Sequence, residues 1–189
     1  YPHRLTTRRF GITSQNQEDG LSWSLLQEVG IVTKTFVEIG SGMSGGNSAF
    51  FARELGWRGL MIEGDAYKVK RIARRFPERV QGVAAWVTRD NVNELLRDNG
   101  YSGEVDFLSL DIDGIDYWVW ETLDTCMPRV VAIEYNSSFG PDRSVVIPYG
   151  AKLERGDVDD SDRDWSRYYF GASLTALAKL GRRKAYRLV

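Results

Sequence analysis

The residues best able to do chemistry lie in four places, each where an apolar run meets a polar or glycine-rich segment. The first is Phe36-Val-Glu-Ile-Gly-Ser-Gly-Met-Ser-Gly-Gly-Asn47. Gly40 and Gly42 let the backbone turn tightly and approach a ligand without Cβ clashes, Ser41 sits between them, and a helix following the turn presents free amides at its N-terminus. Gly40, Gly42 and Gly45 also satisfy the dinucleotide pattern G-x-G-x-x-G, a weak signal when it stands alone. The second is Leu60-Met-Ile-Glu63, followed by Gly64. A carboxylate about twenty residues beyond a glycine turn is where ribose hydroxyls are held, a device common to adenosine cofactors. Glu38 separates those cofactors. It lies two residues before the first glycine, where a dinucleotide site normally carries a packed apolar residue. A carboxylate there suits an amino-acid or sulfonium-bearing ligand better than a pyrophosphate, which it repels.

The third place is Val105-Asp-Phe-Leu-Ser-Leu-Asp-Ile-Asp-Gly-Ile-Asp-Tyr-Trp118, an apolar strand that ends in Asp111, Asp113 and Asp116. The fourth is Val130-Val-Ala-Ile-Glu134, which adds Glu134 and Asn136. Ligands of open α/β sheets bind at the carboxyl ends of strands, so these groups are expected in the crevice of Gly40 and Glu63. Asp111, Asp113 and Glu134 are the candidates for moving a proton. Asp111, Glu134 and Asn136 make an all-oxygen set of the kind Mg²⁺ or Ca²⁺ accepts, the alternative being that they bind cofactor or cap helices. The single histidine, His3, stands at the chain end, a poor place for a general base.

The elements needed to hold these residues are legible from periodicity. Strand-like runs recur at Thr35 to Ile39, Gly59 to Glu63, Val80 to Ala84, Val105 to Leu110 and Val130 to Tyr135. Helical spacing joins Leu21, Leu25, Leu26 and Val29; Phe50, Phe51 and Leu55; Val92, Leu95 and Leu96; and Leu174, Leu177 and Ala178. Trp118, Trp120 and Leu123 are expected to pack a further helix on the sheet, and Pro148 to mark a loop or sheet edge. Strand and helix alternate, which predicts an α/β fold with a mainly parallel central sheet and helices on both faces. A last strand is expected at Ala185 to Val189. The length of 189 residues suits one domain over residues 1–189, with a helical lead-in at about 1–34. Residues 136–169 are the least patterned stretch. Such segments are usually lids or binding loops, and Tyr135, Tyr149, Trp165, Tyr168 and Tyr169 either line an acceptor pocket there or simply pack. The acidic centre at Glu154 to Asp164 also reads as solvated surface.

These motifs together resemble a class I methyltransferase, and within that class the chain is similar to FkbM-type domains. The resemblance runs from Ser14-Gln-Asn-Gln-Glu-Asp-Gly20 to Gly181-Arg-Arg-Lys-Ala-Tyr-Arg-Leu188. Its specific parts are Phe36 to Asn47, Gly56-Trp-Arg-Gly-Leu-Met-Ile-Glu-Gly-Asp65, Asp106 to Trp118 and Ala132-Ile-Glu-Tyr-Asn136. It implies a Rossmann-like sheet of seven strands whose antiparallel last strand this chain is expected to lack. It implies S-adenosylmethionine as cofactor, with Glu38, Gly40, Ser41 and Gly42 near its methionine part and Glu63 with Gly64 at the ribose. Ala84 and Ala85 would flank the adenine, Asp111 would approach the methyl donor, and Asp19 would close over the methionine end or serve the start of its helix. The set Asp111, Glu134 and Asn136 resembles the divalent site of some small-molecule O-methyltransferases, with Glu134 where those enzymes usually carry Asp. The implied reaction is transfer of a methyl group to a hydroxyl of a sugar, polyketide or other metabolite.

Composition bounds the rest. Hydrophobic residues make up 42% and charged residues 27%, as in ordinary globular proteins, and a net charge of −1 with scattered basic residues gives no footprint for nucleic acid. The basic residues Lys68, Lys70, Arg71, Arg74 and Arg75 alternate with Val69, Ile72, Ala73 and Phe76 as the wet face of an amphipathic helix. No apolar run approaches the length that spans a bilayer, and the start lacks the apolar centre of a signal peptide. One cysteine, Cys126, excludes an internal disulfide and suits the cytoplasm. The expected partner is a small-molecule acceptor, and oligomeric state is left open. The rival readings are an NAD(P)-dependent oxidoreductase on the same glycine turn, opposed by Glu38 and the lack of a Tyr-x-x-x-Lys motif, and a nucleotide-binding module without catalysis.

Overall fold

The computed structural model describes residue 5 and residues 7–76, 78–151 and 168–189. They gather into two compact units that interleave along the chain. The first takes the described residues within 1–87, 93–110 and 124–132, and the second those within 88–92, 111–123 and 133–189.

All five expected runs form strands: β1 (Thr35–Ile39), β2 (Arg58–Glu63), β3 (Val80–Ala84), β4 (Gly103–Leu110) and β5 (Cys126–Ile133). They lie side by side in the order β3-β2-β1-β4-β5. The pairs β1 with β2, β1 with β4 and β2 with β3 are parallel, with Glu38 beside Met61 on one side and Ser109 on the other. The chain moves outward from β1 to β3, then returns to β4 on the other side of β1. That reversal makes the carboxyl ends of β1 and β4 the topological switch point, the usual ligand position in open α/β sheets. β5 runs from Cys126 to Ile133 rather than from Val130 to Tyr135, so Glu134 and Tyr135 lie past its end.

The first unit is held by an aromatic core. Phe51 is fully buried, stacks on Trp57 at 4.8 Å and tilts against Phe107 at 4.9 Å. Phe51 belongs to α2 (Ala49–Arg53), the short helix after the glycine turn, so this packing fixes where the turn ends. α3 (Ala66–Arg75) is amphipathic as expected, burying Val69 and Ile72 and exposing its basic residues. α1 (Glu18–Val29) departs from its apolar spacing: it buries Asp19, Ser22, Ser24 and Leu26, while Val29 is exposed. Polar contacts made by Asp19 select that face, as described below. Cys126 is buried, in keeping with a small hydrophobe. α4 (Val92–Asp98) lies between β3 and β4 in the chain.

In the second unit, α5 (Asp116–Thr122) and α6 (Leu174–Arg183) pack where Gly181 lets the Trp120 ring approach; a Cβ there would lie 3.2 Å from it. Trp118 is half-buried and donates its indole N–H to the Ile147 carbonyl at 2.9 Å. Part of the stretch read as patternless is in fact paired: Val146 bridges Ala172 antiparallel, and Ser173 binds Val145 through both backbone and hydroxyl. Pro148 follows that bridge in a loop. The strand expected at Ala185 to Val189 does not form. After α6 the chain turns at Ala185, whose φ is +65°, with the Tyr186 amide bonded to the Gly181 carbonyl, and Tyr186 packs on Trp120. Lys184 donates to the Leu123 and Glu121 carbonyls, so helix-end hydrogen bonds take the place of sheet pairing. Among the described residues, no helix is long and apolar enough to cross a membrane.

Candidate functional site

In the first unit, the glycine turn sits on the end of β2. The amides of Gly40 and Ser41 both donate to the Ile62 carbonyl, at 2.9 and 3.4 Å, and the Gly45 amide closes back on the Ser41 carbonyl at 3.0 Å. Gly42 takes φ +57° with nothing within 4 Å of where a Cβ would be, so its surface is open. Its amide donates to Glu63 Oε2 at 2.9 Å. The other Glu63 oxygen accepts from the Asp65 amide at 3.2 Å and stands 3.5 Å from Lys68 Nζ. The expected ribose ligand and the expected methionine turn are thus joined directly. Ser41 is 1% exposed, and its hydroxyl has no hydrogen-bond partner. A buried hydroxyl left unpaired costs about 1–3 kcal/mol.

Glu38 is also 1% exposed. It accepts from the Ser48 amide at 2.9 Å, the Ser48 hydroxyl at 2.6 Å and the Asn47 amide at 3.4 Å. Gly46, at φ +55°, exists for this contact, because a Cβ there would lie 2.1 Å from Glu38 Oε1. Burial pushes the Glu38 carboxyl up to about 8, against the lowering effect of its hydrogen bonds. The Asn47 side chain spans to Ser109 of β4 at 3.2 Å. Glu38 therefore shapes the turn from within.

The other expected cofactor residues of this unit divide. Asp19 is fully buried, and its carboxylate accepts from the amides of Ile12, Thr13 and Ser14 and from the Thr13 hydroxyl. It holds the preceding loop onto α1, and this organises the N-terminal side of that helix. The Ala85 amide donates to the Glu63 carbonyl at 3.0 Å, placing Ala84 and Ala85 beside the end of β2. One residue further on, Trp86 is half-exposed, and its ring lies so near Gly64 that a Cβ there would sit 2.9 Å away. Sequence reasoning passed over Trp86, although an aromatic directly after Ala85 was a readable signal.

The second unit holds the acids. Asp111 and Asp113 are exposed, Glu134 is half-buried, and one carboxylate oxygen from each lies within 4.8 Å of the others. Asp116 accepts from the amides of Ile112 and Gly114 at 2.9 and 3.1 Å, closing the loop that carries the two aspartates. Asp113 itself adopts φ +54°, a left-handed conformation Asp tolerates better than most residues. Burial pushes Asp116 up to about 7. Glu134 is pushed up to about 8 by burial first and then by the charges of Asp111, Asp116 and Asp113, and its Oε2 is buried without a hydrogen-bond partner.

Asn136, expected in the oxygen set, serves the backbone. It is 2% exposed; its oxygen accepts from the Ser138 amide, and its nitrogen donates to the Tyr168 and Phe170 carbonyls. That side chain caps a short 3₁₀ turn and ties residues 168–170, and the carboxylate found beside Asp111 and Glu134 is Asp113. Tyr149 also packs structurally, donating to Asp90 at 2.8 Å with the Arg89 guanidinium 3.9 Å above its ring. Tyr135 and Tyr168 are exposed. His3, Trp165 and the acidic run at Glu154 to Asp164 lie outside the described residues.

No model of a known protein family matches the chain, and no curated protein matches it. Solved structures do. A proposed caffeoyl-CoA O-methyltransferase from Staphylococcus aureus aligns at a TM-score of 0.50 and 14% identity, over 74% of this chain and 66% of its own. A proposed sarcosine dimethylglycine methyltransferase from Galdieria sulphuraria aligns at 0.54 and 15%, over 88% of this chain and 60% of its own. The chain thus spans less than two thirds of the length of either protein. At these identities the likeness is one of fold: this chain has a Rossmann-like α/β fold, shared with these methyltransferases.

Proposed function

We propose that the chain takes part in methyl transfer from S-adenosylmethionine, as an FkbM-type enzyme acting on a hydroxyl of a small molecule. The observation that carries this reading is which groups occupy the amides of the glycine turn. A dinucleotide site offers such amides to a pyrophosphate. Here the Gly42 amide is taken by Glu63, and the Asn47 and Ser48 amides by Glu38. A pyrophosphate would find these amides already taken, whereas a ligand with ribose hydroxyls finds an acceptor in Glu63. The unpaired Ser41 hydroxyl and the open face of Gly42 fit such a ligand.

Gly40, Ser41, Gly42 and Glu63 would hold this cofactor, with Gly64, Ala84 and Ala85 beside them and Glu38 acting behind the turn. When bound, the cofactor supplies a methyl group on a positively charged sulfur. The chain's own task is then to align the acceptor and take its proton. We assign that task to the acid group, Asp111 first, with Asp113 and Glu134 beside it. Three carboxylates this close also suit a divalent cation such as Mg²⁺, which acidifies a bound hydroxyl.

Calorimetric titration with S-adenosylhomocysteine and, separately, with NAD⁺ tests the cofactor before any acceptor is known. Saturable binding of the first alone is expected; preference for NAD⁺ would return the reading to an oxidoreductase. With an acceptor in hand, Asp111→Ala should abolish turnover while S-adenosylhomocysteine still binds, and an unchanged rate would remove Asp111 from the mechanism. EDTA should suppress activity and Mg²⁺ restore it if a cation takes part, whereas indifference to chelation assigns the proton to a carboxylate alone.

A further inference from the structure

Glu38 is an acid buried among neutral groups. Each element packed on it contributes an uncharged neighbour: the turn gives Asn47 and Ser48, β4 gives Ser109, and β2 pairs Met61 beside it. At 1% exposure the anion is poorly solvated, and no cation among these neighbours offsets that cost. The Ser48 hydroxyl at 2.6 Å donates to the carboxylate, yet by rotating it can accept from the protonated acid. Both charge states thus keep the same contact, and the turn need not rearrange when the proton leaves. The ordinary tendency of such a carboxyl is to hold its proton near neutral pH, in line with its rise to about 8.

We propose that Glu38 carries a proton in the free protein and releases it to solvent when a cationic group of a ligand binds at the glycine turn, so that ligand binding and proton release are linked. This rests on the methyl-donor reading above, since it needs a ligand with a positive end. A sulfonium and an amino-acid ammonium share the chemistry involved. The charged carboxylate becomes favourable only when a cation is near it, so binding lowers the pKa of Glu38 below its free-protein value. The sign follows by linkage. Below about 8 the free protein holds the proton and the complex does not, so affinity rises with pH by up to about tenfold per unit and levels off above that pH.

The test is calorimetric titration at pH 7 in buffers of differing ionisation enthalpy, with S-adenosylmethionine and S-adenosylhomocysteine as ligands. The wild-type protein is expected to release a sizeable fraction of one proton, approaching about one when the bound pKa lies well below 7, and Glu38→Gln to bind more weakly and to release none. Release with both ligands assigns the ammonium, and release with S-adenosylmethionine alone assigns the sulfonium; either result supports the linkage. Binding by the wild type without proton release, or equal release by wild type and Glu38→Gln, overturns it. Absence of binding by either ligand overturns the methyl-donor reading itself, and the absence of binding heat makes that outcome distinct. If Glu38→Gln does not fold or does not bind, infrared difference spectra of the wild type decide: loss of a protonated-carboxyl band on ligand addition supports the proposal, and its persistence overturns it.

Discussion

Two residues of the glycine turn make opposite demands on the free protein. The Ser41 hydroxyl lacks a partner, so Ser41→Ala should raise the unfolding free energy by about 1 kcal/mol, measured by urea denaturation. The same change should weaken binding of S-adenosylhomocysteine by about fivefold to tenfold, the worth of one hydrogen bond. A variant that is more stable and binds less well identifies a group kept for the ligand. Gly46→Ala meets the opposite fate. Its Cβ would lie 2.1 Å from Glu38 Oε1 at a φ of +55°, so a loss of roughly 1–3 kcal/mol is expected in the same measurement. These residues were visible in the sequence as members of a glycine-rich turn. That Glu38 would face inward onto Ser48 was not, because a motif shows which side chains are near and not which atoms they reach.

At the scale of elements, the start of β1 depends on a residue of β4. Asp106 is fully buried and accepts from the amides of Val32, Thr33 and Lys34 at 2.9, 2.9 and 2.6 Å. Arg129 of β5 stands 4.0 Å away and binds the carbonyls of Val29 and Gly30 at the end of α1. The two side chains together hold the connection from α1 into the sheet. Asp106→Ala would leave three amides without their acceptor, and a loss of roughly 2–5 kcal/mol is expected by urea denaturation. The strands themselves were legible, because a run such as Phe36-Val37 or Phe107-Leu108 is apolar on both faces as a parallel interior strand must be. The buried face of α1 was not, since it is chosen by the hydrogen bonds of Asp19 to residues 12–14 against the pull of Leu21 and Val29.

For the whole molecule, buried acids set how stability varies with pH. Glu38 moves from 4.5 up to about 8, Asp116 from 3.8 up to about 7, and Glu134 from 4.5 up to about 8. As pH rises above the ordinary carboxyl range, the unfolded chain loses these protons first while the folded protein retains them. The folded state then binds more protons, so unfolding free energy falls as pH rises through this window and levels off above about 8. Urea midpoints at fixed salt should therefore decline from pH 5 to pH 8, and Glu38→Gln should flatten part of that decline. A midpoint that rises over the same range would show that these acids are ionised in the folded protein.

The sequence by itself determined the α/β class, the positions of the five strands, the glycine turn after β1 and the acids that follow β4 and β5. These follow from local pattern, because strand interiors must be apolar and a tight turn must contain glycine. Only the tertiary structure decided the partners: Glu38 on Ser48, Glu63 on Gly42, Asn136 on residues 168–170, and Asp113 beside Asp111 and Glu134. It also decided that the chain after Lys184 turns back on Trp120 instead of forming a strand. A carboxyl or amide can serve a ligand, a metal or its own backbone, and the choice depends on which donors lie within about 3 Å once the chain has folded.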